Sequence, residues 1–317
     1  MKRAIILAGL LLPIFAWSQS PDSANRSLDS NRQSLFLTGA PRLGGISLTD
    51  AVTPMKINNG NSMVQQHIVD FGIPLVKDFT SAHPIFIKTG FRYENLIVPD
   101  ITAFGTGSFN SFTVPFLASY SITKKTNLTL VGMGTLATDM KTSIHANDVQ
   151  YVAGIRIGFQ PNPNLRYGVT MTYVNNYSGQ LIIPVPDIDW TINKKWQLTA
   201  IVPSRVSLKY KIAPNQSFGL TTGYVASVYG LTQNKEMPNR QYLSWQQFSG
   251  GLIYDVTLSK RWNFNLVAGH SFMQRLETFD QATKASFNNF SELSNRKPIY
   301  SDRQTSFIFQ AGINYKF

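Results

Sequence analysis

The chain contains no cysteine among its 317 residues. Disulfide frameworks, cysteine-ligated zinc sites, iron–sulfur clusters and cysteine nucleophiles are therefore excluded. Charged residues are also scarce, at 15% of the chain, against about 25% in an average soluble protein. No apolar run approaches the roughly 18 residues that a membrane-spanning helix needs, so the sequence disfavours a helical membrane protein as well.

What the sequence does contain is a basic excess and many aromatic residues. Lysine and arginine together number 29 against 17 acidic residues, which gives a formal net charge of +12. Aromatic residues make up 12% and hydrophobic residues 43% of the chain. Such a composition disfavours intrinsic disorder because it supplies enough apolar surface to bury. No internal repeat or domain boundary is visible.

The N-terminus has the pattern of an export signal. Lys2 and Arg3 precede an uncharged stretch over residues 4–17, and small residues stand at the two positions that favour cleavage after Ser18. The sequence therefore divides into a signal peptide over residues 1–18, a polar and flexible lead-in over 19–33, and one mature domain over 34–317.

Apolar and polar residues alternate with a period of two along the mature domain. Between residues 151 and 159, apolar or aromatic side chains occupy the odd positions, and the same pattern recurs over 206–212. A period of two is typical of β-strands. The alternation predicts strands over residues 34–41, 62–77, 84–98, 110–123, 127–139, 150–160, 165–178, 181–192, 196–202, 204–213, 218–232, 242–259, 263–279 and 304–317.

Strand and connection lengths favour a membrane barrel over a soluble β-sandwich. Many predicted strands have 10–15 residues, whereas a tilted membrane-spanning strand needs about 9–11 and soluble strands mostly have about 5–6. Tight turns alternate with four longer connections, as in outer-membrane barrels. We therefore expect an all-β, antiparallel transmembrane β-barrel of about 14 strands. Twelve strands is the alternative, because Pro184, Pro186 and Pro203 cannot donate to a ladder.

The last strand and the aromatic residues indicate how the barrel would sit in the membrane. Ile313, Tyr315 and Phe317 occupy one face of a terminal strand that ends on an aromatic residue, as in the signal that barrels present to their assembly machinery. Tyrosine and tryptophan residues near strand ends fit interfacial girdles. The expected partners are outer-membrane lipid and the barrel assembly machinery, and no nucleic acid, since the basic charges form no single patch.

Basic residues fall mainly on the face opposite the apolar stripes. That face also carries the acids Asp70 and Asp255, and rings of arginine or lysine favour anions in pores. The residues predicted to line the lumen are Lys88, Arg92, Arg156, Arg166, Arg205, Lys209 and Lys211, with Lys316 on the same face. We expect a small channel or passive transporter with a cationic lumen that favours anionic solutes. The alternative is a filled lumen, in which loop acids such as Glu94, Asp100 or Asp139 pair these cations, so that the closed barrel scaffolds outer loops for binding or envelope integrity.

An outer-membrane hydrolase is the third reading, and the histidines argue against it. His67 and His270 have the parity of the apolar faces, and a bulge near His270 is expected because a lipid-facing histidine is costly. His83 falls in a short turn, and His145 lies in a loop close to Ser143 and Asp148. No catalytic set, cofactor site or metal site is predicted.

Two short motifs resemble a known group of proteins. The Ser18-Gln19 junction is similar to that of signal peptides from Bacteroidetes-type bacteria. The segment from Trp196 to Pro203, followed by Val206 to Tyr210, is similar to the middle of an uncharacterised outer-membrane β-barrel family from that group. The resemblance implies a barrel in the outer membrane of a Gram-negative bacterium, and it assigns no activity to any residue. The start typical of barrels of the gliding-associated secretion system is absent.

Overall fold

A computed structural model describes residues 44–57, 60–99, 107–141, 144, 148–232, 241–280 and 297–317. In these residues the chain forms one closed antiparallel sheet of fourteen strands, in which each strand pairs with its sequence neighbours. The strands are β1 (Gly45–Ile57), β2 (Gly60–Asp78), β3 (Ile85–Ile97), β4 (Ser108–Ser121), β5 (Thr126–Thr138), β6 (Val149–Asn162), β7 (Leu165–Asn176), β8 (Gly179–Thr191), β9 (Trp196–Ile201), β10 (Arg205–Ala213), β11 (Gln216–Gly230), β12 (Gln241–Thr257), β13 (Trp262–Asp280) and β14 (Tyr300–Lys316). No helix in this part of the chain is long and apolar enough to cross a membrane.

The barrel closes through β1, which pairs with both β2 and β14. Ile46, for example, lies opposite Phe71 on one side and Tyr315 on the other. Closure removes the unpaired edges that an open sheet would expose. The prediction of an all-β antiparallel barrel of about 14 strands is therefore confirmed, and the alternative of twelve is wrong.

The first described strand differs from the first predicted one. The predicted strand over 34–41 lies outside the described residues, whereas Gly45–Ile57, which the alternation did not assign, forms β1. The reason is a change of face within β1. Ile46 and Leu48 are exposed and Ser47 is buried, but farther along Lys56 is exposed and Met55 is buried. The apolar residues thus switch sides within one strand and hide its period.

The proline-rich stretch forms two strands because its prolines lie where a donor is not needed. The pairing of β8 with β9 begins at Asp187, opposite Ile201. Pro186 accepts a bond from the N–H of Val202 just beyond β9. The N–H and C=O of a strand residue point to the same side. Pro184 and Pro186 therefore lack their N–H groups on the side of β8 that faces β9, at positions before the β8–β9 pairing begins. No ladder bond is lost there.

The outer wall of the barrel is apolar between two rows of aromatic contacts. Leu130, Ile155 and Leu220 are 48%, 53% and 60% exposed on this wall. At one end the ring of Trp196 lies 5.0 Å from that of Tyr210, and Trp262 lies 4.8 Å from Tyr315. The other end has contacts of Tyr93 with Phe112 and of Tyr151 with Tyr173. Tyrosine and tryptophan side chains therefore take part in aromatic contacts at both ends of the apolar wall.

The two ends of the barrel differ in their connections. At the end that we call the short-turn end, the even-numbered strands pass to the next strand in tight turns such as 163–164 and 214–215. In the 79–84 turn the carboxylate of Asp78 accepts bonds from the N–H groups of Thr80 and Ser81, which lowers the pKa of Asp78. At the opposite end, which we call the loop end, lie the longer connections, including 98–107 and 139–148.

Near the loop end, two strands from opposite sides of the barrel meet. Thr138 at the end of β5 pairs in parallel with Gly230 of β11, and the N–H of Asp139 donates to the carbonyl of Gly230 at 3.1 Å. Thr232 donates its N–H and hydroxyl to the Asp139 carboxylate at 2.9 and 2.8 Å. The barrel is therefore pinched at this end.

Buried apolar side chains fill the lumen next to this pinch. They come from strands on facing sides of the barrel, chiefly β1 to β5 and β11 to β13, and the largest are Trp245, Tyr229 and Phe109, all at most 1% exposed. We call this set the apolar cluster: Met55, Ile57, Val64, Leu96, Val98, Phe109, Ala137, Tyr229, Leu231, Leu243, Trp245 and Leu276.

Candidate functional site

A polar cavity of about 670 Å³ occupies the lumen on the side of β7 to β14 and reaches the short-turn end, where Asn193 and Pro214 line it. Threonine, serine, asparagine and glycine residues form much of its wall, including Thr199, Thr221 and Gly223. We call it the basic cavity because of its strand-borne charged residues, which are Arg166, Arg205, Lys209, Lys211, Asp189 and Asp255.

Strand β10 supplies three of these basic residues through its alternation. Arg205, Lys209 and Lys211 line the cavity. Between them, Tyr210 lies opposite Trp196 on the outer wall. A strand places successive side chains on opposite faces, so the spacing of two directs every basic residue of β10 into the lumen.

The four predicted basic residues in the cavity have different surroundings. The ammonium of Lys209 lies 2.7 Å from the carboxylate of Asp255, and their side chains are 25% and 14% exposed. Arg166 lies opposite Asp189 in the β7–β8 register. Lys211 is exposed at the short-turn end of β10. Lys211 is thus the lumen cation best placed to meet a solute that enters from that end.

Arg156, also predicted to line the lumen, is instead buried in an ion pair. Its guanidinium donates to both carboxylate oxygens of Asp187, from Nε at 2.8 Å and from Nη2 at 2.9 Å. Nη1 donates to Asn127 Oδ1 at 2.8 Å. The side chain lies flat over Gly158 and Gly168, where an added Cβ would come within 1.9 and 2.6 Å of the guanidinium. Glycine at these two positions makes room for the pair.

The remaining two predicted residues, Lys88 and Arg92, lie on β3 away from the basic cavity. Lys88 is buried at 6% exposure. Arg92 lies 3.8 Å from Asp70 and 3.4 Å from Glu94. The seven predicted basic residues therefore form two groups. Four line the cavity. The other three lie outside it: Lys88 is buried, and Arg92 and Arg156 lie beside acidic side chains.

Glu94 is the centre of a hydrogen-bond network across the lumen. Its Oε1 accepts bonds from Gln66 Nε2 at 2.8 Å, from Ser227 Oγ at 3.0 Å and from the Tyr229 hydroxyl at 2.9 Å. Glu94 was named among the loop acids although the predicted strand over 84–98 contains it; it lies within β3, and its partners on β11 come from the opposite wall. The network joins the two walls beside the apolar cluster, because Tyr229 belongs to both.

Two inward acids, Asp187 and Asp189, were missed by the sequence reasoning, and Glu94 was not counted on the inner face. Glu94, Asp187 and Asp189 are all buried, so the excess of eight basic residues over two acids on the inner face was an overestimate. The prolines of β8 hid the alternation of Asp187 and Asp189 with Ile188 and Trp190, which is the signal that could have found them. Of the other acids expected to pair cations, Asp139 binds Thr232, and Asp100 lies outside the described residues.

The histidines lie away from the cavity wherever the structure describes them. His67 is on the outer wall, where its Nδ1 lies 2.5 Å from Asp50 Oδ1. His270 packs against Phe272 and Phe307, and the predicted irregularity follows it, between Ser271 and Gln274. His83 Nδ1 contacts the carbonyl oxygen of Ser121 in a short turn. The cluster of Ser143 and His145 lies outside the described residues.

The three C-terminal residues singled out by the sequence close the barrel. Ile313 lies opposite Leu48, and Tyr315 lies opposite both Ile46 and Trp262. The ring of Phe317 contacts those of Phe71 and Tyr315 at 5.9 and 6.2 Å. The role of these residues as an assembly signal stays a prediction.

Several solved structures are similar to this chain at low sequence identity. The NanC porin is 6% identical with a TM-score of 0.38, and the likeness covers 86% of this chain and all of the porin. The outer membrane protein OpdK from Pseudomonas aeruginosa is 9% identical with a TM-score of 0.33, over 86% of this chain and 98% of that one. A TodX monoaromatic hydrocarbon channel variant has 7% identity and a TM-score of 0.34, over 86% and 90%. At these scores the strand pairing of this chain itself remains the basis for its fold.

Sequence comparison places the chain in a family without assigning a function. No protein of curated function is similar in sequence. A family model described as "Domain of unknown function (DUF6268)" matches residues 114–316, which run from β4 to the end of β14 and include the motif at 196–210. The match covers more than half of the sequence, so the chain belongs to this DUF6268 family.

Proposed function

We propose that this protein is an outer-membrane channel that passively transports small anionic solutes. The observation that carries the proposal is the basic cavity, where Arg166, Arg205, Lys209 and Lys211 line a polar lumen that reaches the short-turn end. Basic side chains in a narrow, low-dielectric passage raise the local concentration of anions and favour their passage.

The outer wall supports placement of the barrel in a membrane. Large apolar side chains are exposed around the strands, among them Val114, Met171 and Phe309, at 58%, 51% and 58%. A soluble protein rarely exposes an apolar patch of more than a few hundred Å². In a bilayer the same surface would be covered by lipid, and the Trp–Tyr contacts at the strand ends would lie at headgroup level.

Conduction also requires the loop end to open. The apolar cluster fills the lumen there, and the Glu94 network joins β3 to β11 beside it. We therefore propose a gated channel, in which the basic cavity selects the solute and the apolar cluster acts as the gate.

The reversal potential across a planar bilayer tests the proposed selectivity. With a salt gradient of KCl, the wild-type barrel should favour chloride, and Lys211→Glu should shift the reversal potential towards that of potassium. Lys124→Glu is the matched control, because it makes the same charge change in the β4–β5 turn, outside the residues that line the cavity. An equal shift in both variants would assign selectivity to the overall charge and not to the cavity.

A closed barrel that presents its loops for binding is the second candidate function. The filled lumen at the loop end favours it, since the twelve residues of the apolar cluster are all at most 4% exposed. The same bilayer measurement separates the two. A folded, heat-modifiable barrel that stays silent, together with a silent variant in which the cluster has been weakened, would support the closed barrel and contradict the channel.

A further inference from the structure

Two hairpins at the short-turn end repeat one arrangement of basic and aromatic residues. The β8–β9 turn has the sequence Asn193-Lys194-Lys195-Trp196, and the β12–β13 turn has Ser259-Lys260-Arg261-Trp262. In each hairpin a small polar residue is followed by two basic residues and a tryptophan. We call these two sites the basic hairpins.

The backbone of the two basic hairpins is held in the same way. Asn193 Oδ1 accepts bonds from the N–H groups of Lys195 and Trp196, both at 2.9 Å. Ser259 Oγ accepts from those of Arg261 and Trp262, at 3.3 and 3.2 Å. The side-chain acceptor fixes the turn, so the basic pair is presented by an ordered backbone.

The following strand adds a tyrosine to each basic hairpin. Lys211 donates its N–H to the carbonyl of Lys195, and Lys316 donates its N–H to that of Arg261. The residues before them, Tyr210 and Tyr315, consequently lie beside Trp196 and Trp262, with ring centroids 5.0 and 4.8 Å apart. Each basic hairpin therefore carries a Trp–Tyr pair on the outer wall.

The cationic groups lie against these tyrosines. Lys195 Nζ is 5.6 Å from the centre of the Tyr210 ring, and Arg261 Nη1 donates to the Tyr315 hydroxyl at 3.1 Å. Trp196 and Trp262 are 38% and 44% exposed. Lys195 and Arg261 thus lie at the boundary of the apolar wall, where an anionic group and an apolar chain can be bound together. Lys194 and Lys195 also border the basic cavity, whereas Lys260 and Arg261 do not line it, so the β12–β13 hairpin tests the lipid site independently of the cavity.

We propose that the two basic hairpins bind the phosphate groups of anionic phospholipids in the leaflet at the short-turn end. This inference rests on the proposed membrane placement but not on conduction. A lipid phosphate would meet the two cations of the turn, while the glycerol and upper acyl chain would pack on the Trp–Tyr pair. Basic residues close to a membrane attract anionic lipids, and tryptophan and tyrosine prefer this interfacial depth.

A third hairpin provides an internal control. The β4–β5 turn has Thr123-Lys124-Lys125-Thr126, and Thr123 Oγ1 accepts from the N–H groups of Lys125 and Thr126 at 3.1 and 3.0 Å. Thr126 lies opposite Phe159. This turn has the same backbone bonds and the same two positive charges, but a threonine and a phenylalanine replace the tryptophan and the tyrosine.

Native mass spectrometry of the full-length barrel, released from detergent that contains equal phosphatidylglycerol and phosphatidylcholine, tests the proposal. The wild type should retain two phosphatidylglycerol molecules in preference to phosphatidylcholine. Lys194→Gln/Lys195→Gln and Lys260→Gln/Arg261→Gln should each lose one, with about 30-fold weaker retention at that site, from about 1 kcal/mol for each charge. Lys124→Gln/Lys125→Gln should retain both.

Several outcomes would overturn the lipid sites. One is equal retention of the two lipids by the wild type, and another is the same loss in the Lys124→Gln/Lys125→Gln control, which would indicate charge alone. Trp262→Ala should also weaken retention without changing charge, so an unchanged value would count against the site. Loss of binding to purified peptidoglycan in the same variants, with lipid retention intact, would assign the hairpins to cell-wall carboxylates.

The failure of this inference can be told apart from that of the proposed channel. Each variant is checked for the shift in electrophoretic mobility on heating that marks a folded barrel. Selective lipid retention by a folded but silent barrel would contradict only the channel. Conduction without selective retention would contradict only the lipid sites.

Discussion

The two ends of the lumen have opposite chemistry, even on strands that run from one end to the other. On β12, Asp255 lines the basic cavity near the short-turn end, whereas Trp245 belongs to the apolar cluster near the loop end. On β3, Lys88 and Arg92 lie closer to the short-turn end, and Leu96 of the apolar cluster lies at the loop end. On both β3 and β12 the alternation of inward and outward residues continues, but the character of the inward residues changes from polar to apolar.

Under the proposed membrane placement, this difference indicates where the strands would leave the bilayer. On β1, apolar Ile46 and Leu48 face outward near the short-turn end, and charged Lys56 faces outward near the loop end, where Met55 is buried. An outward apolar residue suits lipid, whereas an inward apolar residue suits a protein surrounded by water. In the proposed membrane placement, the bilayer would therefore surround the barrel near the short turns, and water would surround it near the loops.

Weakening the apolar cluster should have the largest effect on stability and on conduction. Trp245→Ala removes a side chain that is 1% exposed, and truncating a buried tryptophan costs about 3–5 kcal/mol. We expect a lower midpoint of denaturant unfolding and a clear rise in open-channel events in bilayers. Trp262→Ala, at an exposed position of the short-turn end, should alter neither quantity by much. Unchanged conduction in Trp245→Ala would contradict the cluster as the gate.

Replacing the buried Arg156 should have the second-largest effect, on the free energy of unfolding. Arg156→Ala would leave Asp187 buried without its partner, and breaking a buried pair in this way costs about 3 kcal/mol or more. Replacement of both residues, as Arg156→Met/Asp187→Leu, should recover most of the loss in urea unfolding. If the double variant were as unstable as the single one, the cost would come from packing and not from an unpaired charge.

Filling the space beneath that pair should have a smaller effect. In Gly158→Ala the new methyl would lie 1.9 Å from Arg156 Nη1, so the guanidinium must move, at a cost of about 1–3 kcal/mol. Gly134→Ala is the matched control, because an added Cβ there meets nothing within 4 Å. Similar unfolding midpoints for the two variants would show that Arg156 does not depend on this space.

Loosening the Glu94 network should have the smallest effect of the four. Tyr229→Phe removes one of three bonds to Glu94 Oε1. Because Gln66 and Ser227 still donate to this oxygen, the loss should be close to the about 0.5–1.5 kcal/mol of a typical hydrogen bond. We expect a modest loss of stability and a small rise in channel opening, both well below those of Trp245→Ala. Tyr120→Phe, on the exposed outer wall, should match the wild type.

The sequence predicted the barrel well because its lipid-facing stripes are regular. The positions of β6, β7 and β14 followed directly from alternation, and four of the seven predicted basic residues line the basic cavity. The prediction failed where the pattern changes face or is interrupted. Gly45–Ile57 was missed because its apolar residues switch sides, and Asp187 and Asp189 were hidden by the prolines of β8.

The sequence could not predict which basic residues line the cavity and which are buried in ion pairs. Arg156 and Lys211 both stand between apolar neighbours in an alternating strand, yet one lies in a buried pair and the other in the cavity. The side chain of Arg156 reaches across Gly168 of β7 to Asp187 on β8, so its fate depends on the register of three strands. The apolar cluster likewise brings together residues as distant in sequence as Met55 and Leu276.

The most direct test is the reversal potential of the barrel carrying Trp245→Ala, measured in a KCl gradient with and without Lys211→Glu. The account predicts that Trp245→Ala conducts with a preference for chloride, and that the added Lys211→Glu weakens or reverses this preference while conduction persists. A folded Trp245→Ala barrel that stays silent, or one that prefers potassium, would contradict a gated lumen that selects anions through its basic cavity.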